Sequence, residues 1–238
     1  MPAAISHPIT RNKPLTDQPA IFRKSYAAFL FDMDGTLLSS IAAAERVWGA
    51  WAERHGLDVA TFLPTIHGVR AEDTIRRQKI EGIDIDAEVK WVERSELDDV
   101  DGVHPIDGIL DFLKSLPEDK WAIVTSATLE LATKRLRAAG IGTPKNIVTA
   151  EDVKRGKPAP DCFLLAAERL GVKASDCLIF EDAPAGIAAA EAAGADVMVI
   201  TATHGHPMET PHATTGSYVG ITISTGDSGQ LTVERRVG

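Results

Sequence analysis

The chain has 238 residues, 44% of them hydrophobic and 25% charged, with a formal net charge of −9. That length can bury one good core, or a core plus a small second domain. The acidic balance argues against a partner such as a nucleic-acid backbone or an anionic membrane, but a small phosphorylated metabolite needs only local positive charge.

The opening MPAAISHPITRNKPLTDQPA has no apolar core of a secretory signal, so residues 1–24 are expected to form a tail. No apolar run approaches the ~20 residues of a membrane span. A cytoplasmic protein, monomeric or weakly dimeric, is therefore expected. Cys162 and Cys177 stand in no CxxC pattern and read as packed thiols.

Short runs rich in Val and Ile then alternate with helical stretches. AAFLF (27–31), WAIVT (121–125), NIVTA (146–150), CLIFE (177–181) and DVMVI (196–200) read as strands. ELATKRLRAAG (130–140), DCFLLAAERLG (161–171) and AGIAAAEAAGA (185–195) read as helices, each stopped near a glycine. This alternation predicts an α/β, Rossmann-like core with a parallel sheet covered on both faces. Such sheets bind ligands at the carboxyl ends of their strands.

Residues 40–103 break the alternation. AAAERVWGAWAERHG, AEDTIRRQKIEG and DAEVKWVERSELDDV all read as helices, and no strand is evident among them. The segment is expected to be an inserted helical cap, hinged near 37–41 and 101–107, with the core at 25–39 and 104–238. Trp48, Trp51 and Trp91 read as cap core, and ELDDVD (96–101) as a solvated hinge. The C-terminal GSYVGITISTGDSGQLTVERRVG reads as an edge strand or a hairpin.

Four stretches carry chemistry. In FLFDMDGTLLSS, Asp32 and Asp34 follow the first strand. Two unit charges ~4 Å apart repel by roughly 4 kcal/mol at an effective dielectric near 20. The pair would raise one pKa unless a cation relieved it, and a hard ion such as Mg²⁺ suits carboxylate oxygens. In IVTSAT, the hydroxyls of Thr125 and Ser126 end a strand where they could hold a phosphate oxygen. In VKRGKPAPD, Gly156 and two prolines restrain the loop around Lys157, as a fixed cation requires. In IFEDAPAG, Glu181 and Asp182 end an apolar strand, where acids are costly unless paired or metal-bound.

Together, DMDGT, VTS, GKP and FEDAPAG resemble the haloacid-dehalogenase superfamily in order, residue type and spacing, over about residues 26–203. The resemblance implies that Asp32 is a nucleophile toward a phosphoryl group and that Asp34 is the general acid/base. It implies that Lys157 steadies the phosphoryl charge and that Thr125, with Ser126 beside it, binds phosphoryl oxygen. It further implies Mg²⁺ held by Asp32, Asp182, the Asp34 carbonyl and, through water, Glu181. The superfamily's dehalogenases lack an acid at the place of Asp34, so phosphatase chemistry is expected. TIHGVRAEDTIR (65–76) resembles a substrate-specificity loop, which places His67, Gly68 and Arg70 against the leaving group. Within the superfamily, the chain is similar to phosphatases of glycerol phosphate and 2-deoxyglucose 6-phosphate. The alternatives are a β-phosphoglucomutase-like mutase, although SSIAAAERVWGAW lacks that group's cap histidine, and a catalytically weak phosphate-binding regulator.

Overall fold

A computed structural model describes residues 21–22 and 24–235. Of the expected tail, residues 1–20 and Arg23 lie outside the described residues, as do residues 236–238. The start of the described chain is tied down, because the Ile21 N–H donates to the Val233 carbonyl at 3.0 Å.

The elements follow in chain order. Strand β1 (Ala28–Phe31) leads through β2 (Leu38–Ser39) into helices α1 (Ile41–Arg54), α2 (Val59–Phe62), α3 (Ala71–Arg77) and α4 (Ile85–Asp98). Then come β3 (His104–Pro105), α5 (Ile109–Ser115), β4 (Trp121–Val124), α6 (Leu129–Ala138), β5 (Ile147–Val148) and α7 (Asp161–Arg169). The chain continues through β6 (Cys177–Glu181), α8 (Pro184–Ala192), β7 (Asp196–Ile200), β8 (Ala213–Thr215), β9 (Ile221–Thr225) and β10 (Leu231–Arg235).

Six strands form one parallel sheet in the order β5-β4-β1-β6-β7-β8. Because side chains alternate along a strand, each strand feeds two cores. Phe29, Phe31, Ile123, Leu178, Phe180, Met198 and Ile200 pack with α5, α6 and the β9–β10 hairpin. Leu30, Val124, Ile179, Val197 and Val199 pack on the other face with α7 and α8. The strands read as continuous apolar runs because both faces are covered.

Between residues 41 and 98 all the regular structure is helical, and Val47, Trp48, Trp51, Phe62, Ile75 and Val92 form a third apolar cluster of their own. The Trp51 indole donates to Glu88 at 2.8 Å, while the Arg54 guanidinium lies 4.1 Å from the centre of the Trp91 ring.

Two features go beyond the sequence expectation, and a third decides between two readings of the C-terminal stretch. At the expected hinges the chain pairs Leu38 with Pro105 and Ser39 with His104, a two-residue antiparallel ribbon too short to leave a periodic signal. The C-terminal stretch forms a hairpin that covers the first core rather than an edge of the main sheet. One edge of that sheet is β5, and the other is β8, three residues with no apolar pattern. No helix among the described residues is long and apolar enough to cross a membrane.

Candidate active site

Asp32 leaves β1 at its carboxyl end, where its N–H donates to the Phe180 carbonyl at 2.9 Å. Its Oδ1 accepts from Lys157 Nζ at 2.5 Å. Its Oδ2 is buried and has no hydrogen-bond partner. The Lys157 ammonium also donates to Glu181 Oε1 at 2.7 Å and to the Val124 carbonyl at 3.3 Å. Lys157 thus spans the ends of β1, β4 and β6 from a loop that the sequence places before α7. The second Glu181 oxygen accepts from the backbone N–H groups of Asp182 and Ala183, both at 2.7 Å. Glu181 therefore anchors the lysine and the turn after β6.

Asp182 faces the turn after β1. Its Oδ1 accepts from Thr36 Oγ1 at 3.4 Å, and a Cβ at Gly35 would lie 2.0 Å from its Oδ2. Gly35 also has φ of +88°, so both backbone conformation and space require glycine. The Asp182 carbonyl is hydrogen-bonded to His204 Nε2 at 3.0 Å, which braces the backbone of this acid.

Carboxylate oxygens of Asp32, Glu181 and Asp182 all lie within 4.8 Å of one another. Were all three acids ionised, one ammonium would leave two negative charges uncompensated. Burial pushes the Asp32 carboxyl well above the carboxylate range; Lys157 pulls it back and the Glu181 charge pushes it further up. Asp182 is raised in the same way, by burial first and then by the charges of Glu181 and Asp32. For Lys157 burial opposes the charge, yet Asp32 and Glu181 outweigh it and hold the ammonium above its ordinary value. Three buried carboxylates that close together make a donor set that fits a divalent metal ion.

Asp34 lies apart from that cluster. Its Oδ1 accepts from Ser40 Oγ at 2.6 Å and from Arg135 Nη1 at 3.1 Å. Arg135, on α6, also donates from Nη2 to Glu96 Oε1 on α4 at 3.0 Å. Glu96 is only 8% exposed, which corrects the reading of ELDDVD as solvated: its first acid turns inward to a buried guanidinium. Sequence reasoning missed Arg135, Glu96 and Ser40. Only Arg135 left a signal, standing with Leu131, Ala132 and Leu136 on the apolar face of its helix.

The remaining expected residues border a cavity of about 260 Å³ lined by Asp32, Asp34, Trp48, His67, Gly68, Arg70, Thr125, Ser126 and Arg135, among others. Thr125 Oγ1 accepts from the Ala127 N–H at 3.1 Å, which leaves its own proton free to donate. The Ser126 hydroxyl instead donates to the Gly68 carbonyl at 3.0 Å. Gly68 has φ of +72°, and a Cβ there would stand 2.6 Å from that of Ala183, so the 66–70 loop touches the turn after β6. His67 is largely buried, and that burial holds its pKa below the usual value. Arg70 donates to Asp73 at 2.7 Å and to the carbonyls of Val153 and Lys154 at 3.4 and 3.2 Å. Arg70 lines the cavity while tying the 66–70 loop to the lysine loop.

A doubly covered parallel sheet with an acid–lysine cluster at its strand ends, beneath a cavity, has the layout of an α/β enzyme whose site lies at the carboxyl ends of the strands. The chain belongs to the haloacid dehalogenase-like hydrolases, whose family model matches residues 26–194. Among curated proteins it is 43% identical over 188 residues to hexitol phosphatase A of Escherichia coli, covering 77% of this chain and 85% of that one. It is 33% identical to glycerol-1-phosphate phosphohydrolase 2 of Saccharomyces cerevisiae, over 79% of each chain. It is 35% identical to 2-deoxyglucose-6-phosphate phosphatase 1 of the same yeast, over 74% of this chain and 80% of that one. Among solved structures, a Pseudomonas syringae hydrolase superposes with a TM-score of 0.65 at 27% identity, over 74% of this chain and 84% of that one.

Proposed function

We propose that this enzyme is a Mg²⁺-dependent phosphatase that hydrolyses monophosphates of small sugars or polyols through an aspartyl-phosphate on Asp32. The observation that carries the reading is the Asp32 carboxylate, one oxygen bound to Lys157 and the other buried without a partner at the cavity. A carboxylate held on one side by an ammonium and bare on the other is a positioned nucleophile.

In this reading Asp32 Oδ2 forms a bond to phosphorus as the ester P–O bond breaks. Asp34 gives its proton to the departing alkoxide. It then takes a proton from water, whose oxygen attacks phosphorus and releases phosphate and the Asp32 carboxylate. Lys157 and the Thr125 hydroxyl face the phosphoryl oxygens, where preorganised donors act on developing charge. The side chains of Asp32 and Asp182 and the carbonyl of Asp34 would hold Mg²⁺, which when bound neutralises phosphoryl charge. Splitting the reaction in two suits phosphate monoesters, whose hydrolysis demands accelerations up to ~10²¹-fold.

Residues 40–103 act as a cap that sets the substrate, with His67, Gly68 and Arg70 on the leaving-group side. The sugar and polyol class rests on the named activities of the relatives and on a cavity about the size of one small metabolite, bordered by Asp34, His67, Arg70, Thr125 and Arg135. The test is phosphate release across hexitol phosphates, glycerol phosphates, 2-deoxyglucose 6-phosphate and an aryl phosphate, with Mg²⁺ and with EDTA. Turnover of one or more sugar or polyol esters, lost in EDTA, is expected. No release from any ester would overturn the phosphatase reading; release unaffected by EDTA would overturn the metal.

A further inference from the structure

Arg135 is 4% exposed on α6 and joins two acids from distant parts of the chain. One is Asp34, at 3.1 Å, in the turn after β1; the other is Glu96, at 3.0 Å, on the last turn of α4. Its Nε is buried without a hydrogen-bond partner. A guanidinium that gives up one N–H to keep two carboxylates is placed for the fork those acids require, since lysine cannot present two donors in fixed directions. Ser40, at the start of α1, completes the set by donating to the same Asp34 oxygen at 2.6 Å. Two of the groups that fix the Asp34 side chain are therefore set by residues 40–103: Ser40 directly, and Glu96 through Arg135.

We infer that Arg135 is a positioning residue that couples the seating of α4 to the orientation of the Asp34 carboxylate. With Glu96 in place the guanidinium is held at both ends and Asp34 has one orientation. Without Glu96 the fork is free to turn, and Asp34 keeps only Ser40. The inference rests on the phosphatase reading, in which Asp34 is the proton donor. A group that helps the departure of an alkoxide matters most when the leaving group is poor, and an aryl oxide leaves with less help. Misplacing Asp34 should lower kcat on a polyol phosphate and spare an aryl phosphate, with KM little changed.

The experiment measures kcat and KM for wild type, Arg135→Lys, Arg135→Met, Glu96→Leu and the Arg135→Met/Glu96→Leu double variant on a hexitol phosphate and on p-nitrophenyl phosphate. Unfolding midpoints are recorded for each. The double variant guards against a fold lost to one unpaired buried charge, because it removes both. Arg135→Lys and Glu96→Leu should each lower kcat on the hexitol phosphate by about tenfold, part of the ~10²–10⁴-fold that positioned proton transfer supplies. The aryl ester should lose far less. The double variant should lose no more than the worse single, since both residues act through one contact. Equal losses on the two esters, or losses that multiply in the double variant, overturn the coupling while leaving the phosphatase reading intact. A wild type inactive on both esters overturns that reading and this inference with it.

Discussion

A Cβ at Gly186 would lie 1.5 Å from Glu181 Oε1 and 2.0 Å from its Cδ, so the first turn of α8 is open at the place where the buried glutamate sits. The same Glu181 oxygen accepts from Lys157. Gly186 thus makes room for the acid that holds the active-site lysine. Helix propensity alone would favour Gly186→Ala by about 1 kcal/mol. Displacing a buried acid from its ammonium costs about 3–5 kcal/mol, and that sign wins. Gly186→Ala should lower both the urea midpoint and turnover. An alanine variant as stable as wild type would show that Glu181 has another place to go.

Asp32→Asn should abolish turnover on every ester, because an amide cannot accept the phosphoryl group. The fold should survive. The amide oxygen can still accept from Lys157, which keeps Glu181, and one of three crowded buried acids is gone. Circular dichroism melting in EDTA should place the variant at or above wild type. Turnover within tenfold of wild type would remove Asp32 from the nucleophile's role.

Stability without metal should fall as pH rises. Asp32 and Asp182 are both held above their ordinary value of 3.8, first by burial and then by neighbouring negative charge. A carboxyl raised in the native state binds its proton more tightly there than in the unfolded chain. Its stabilising contribution is therefore complete below the unfolded value and lost as pH climbs through the native one. Mg²⁺ competes with those protons, so the rise in melting temperature on adding it should be larger at pH 8 than at pH 5. A Mg²⁺ shift that is the same at both pH values would place the ion elsewhere.

Both thiols should resist labelling in the native protein. Burial raises Cys162, and burial followed by the charge of Asp176 pushes Cys177 up to about 12. The thiolate is the reactive form. A thiol-disulfide reagent at pH 8 should therefore report no fast-reacting groups until denaturant is added, and then two. Rapid modification of the folded protein would contradict the burial of α7 and β6 against the sheet.

Much of the fold was legible because its signals are local. Apolar runs ending in Asp32, Thr125 and Glu181 marked strands buried on both faces, and glycines at 140, 171 and 194 marked the helix ends. DMDGT, VTS, GKP and FEDAPAG held the acid–lysine cluster because each motif is short, and the sheet brings strand ends together whatever lies between them. Tertiary structure decided the rest. Glu96 read as part of a solvated hinge, and Arg135 as one more charge in a helix; only the packing of α4 against α6 brought them together, 62 and 101 positions from the aspartate they serve. Arg70 stands in a loop whose sequence pointed only to the cavity, while its hydrogen bonds run to Asp73 and to backbone carbonyls 83 and 84 positions away. Local pattern reports which groups a chain can offer. Which charge ends beside which is set by contacts between remote segments, because an ion pair is formed in space and leaves no period in the sequence.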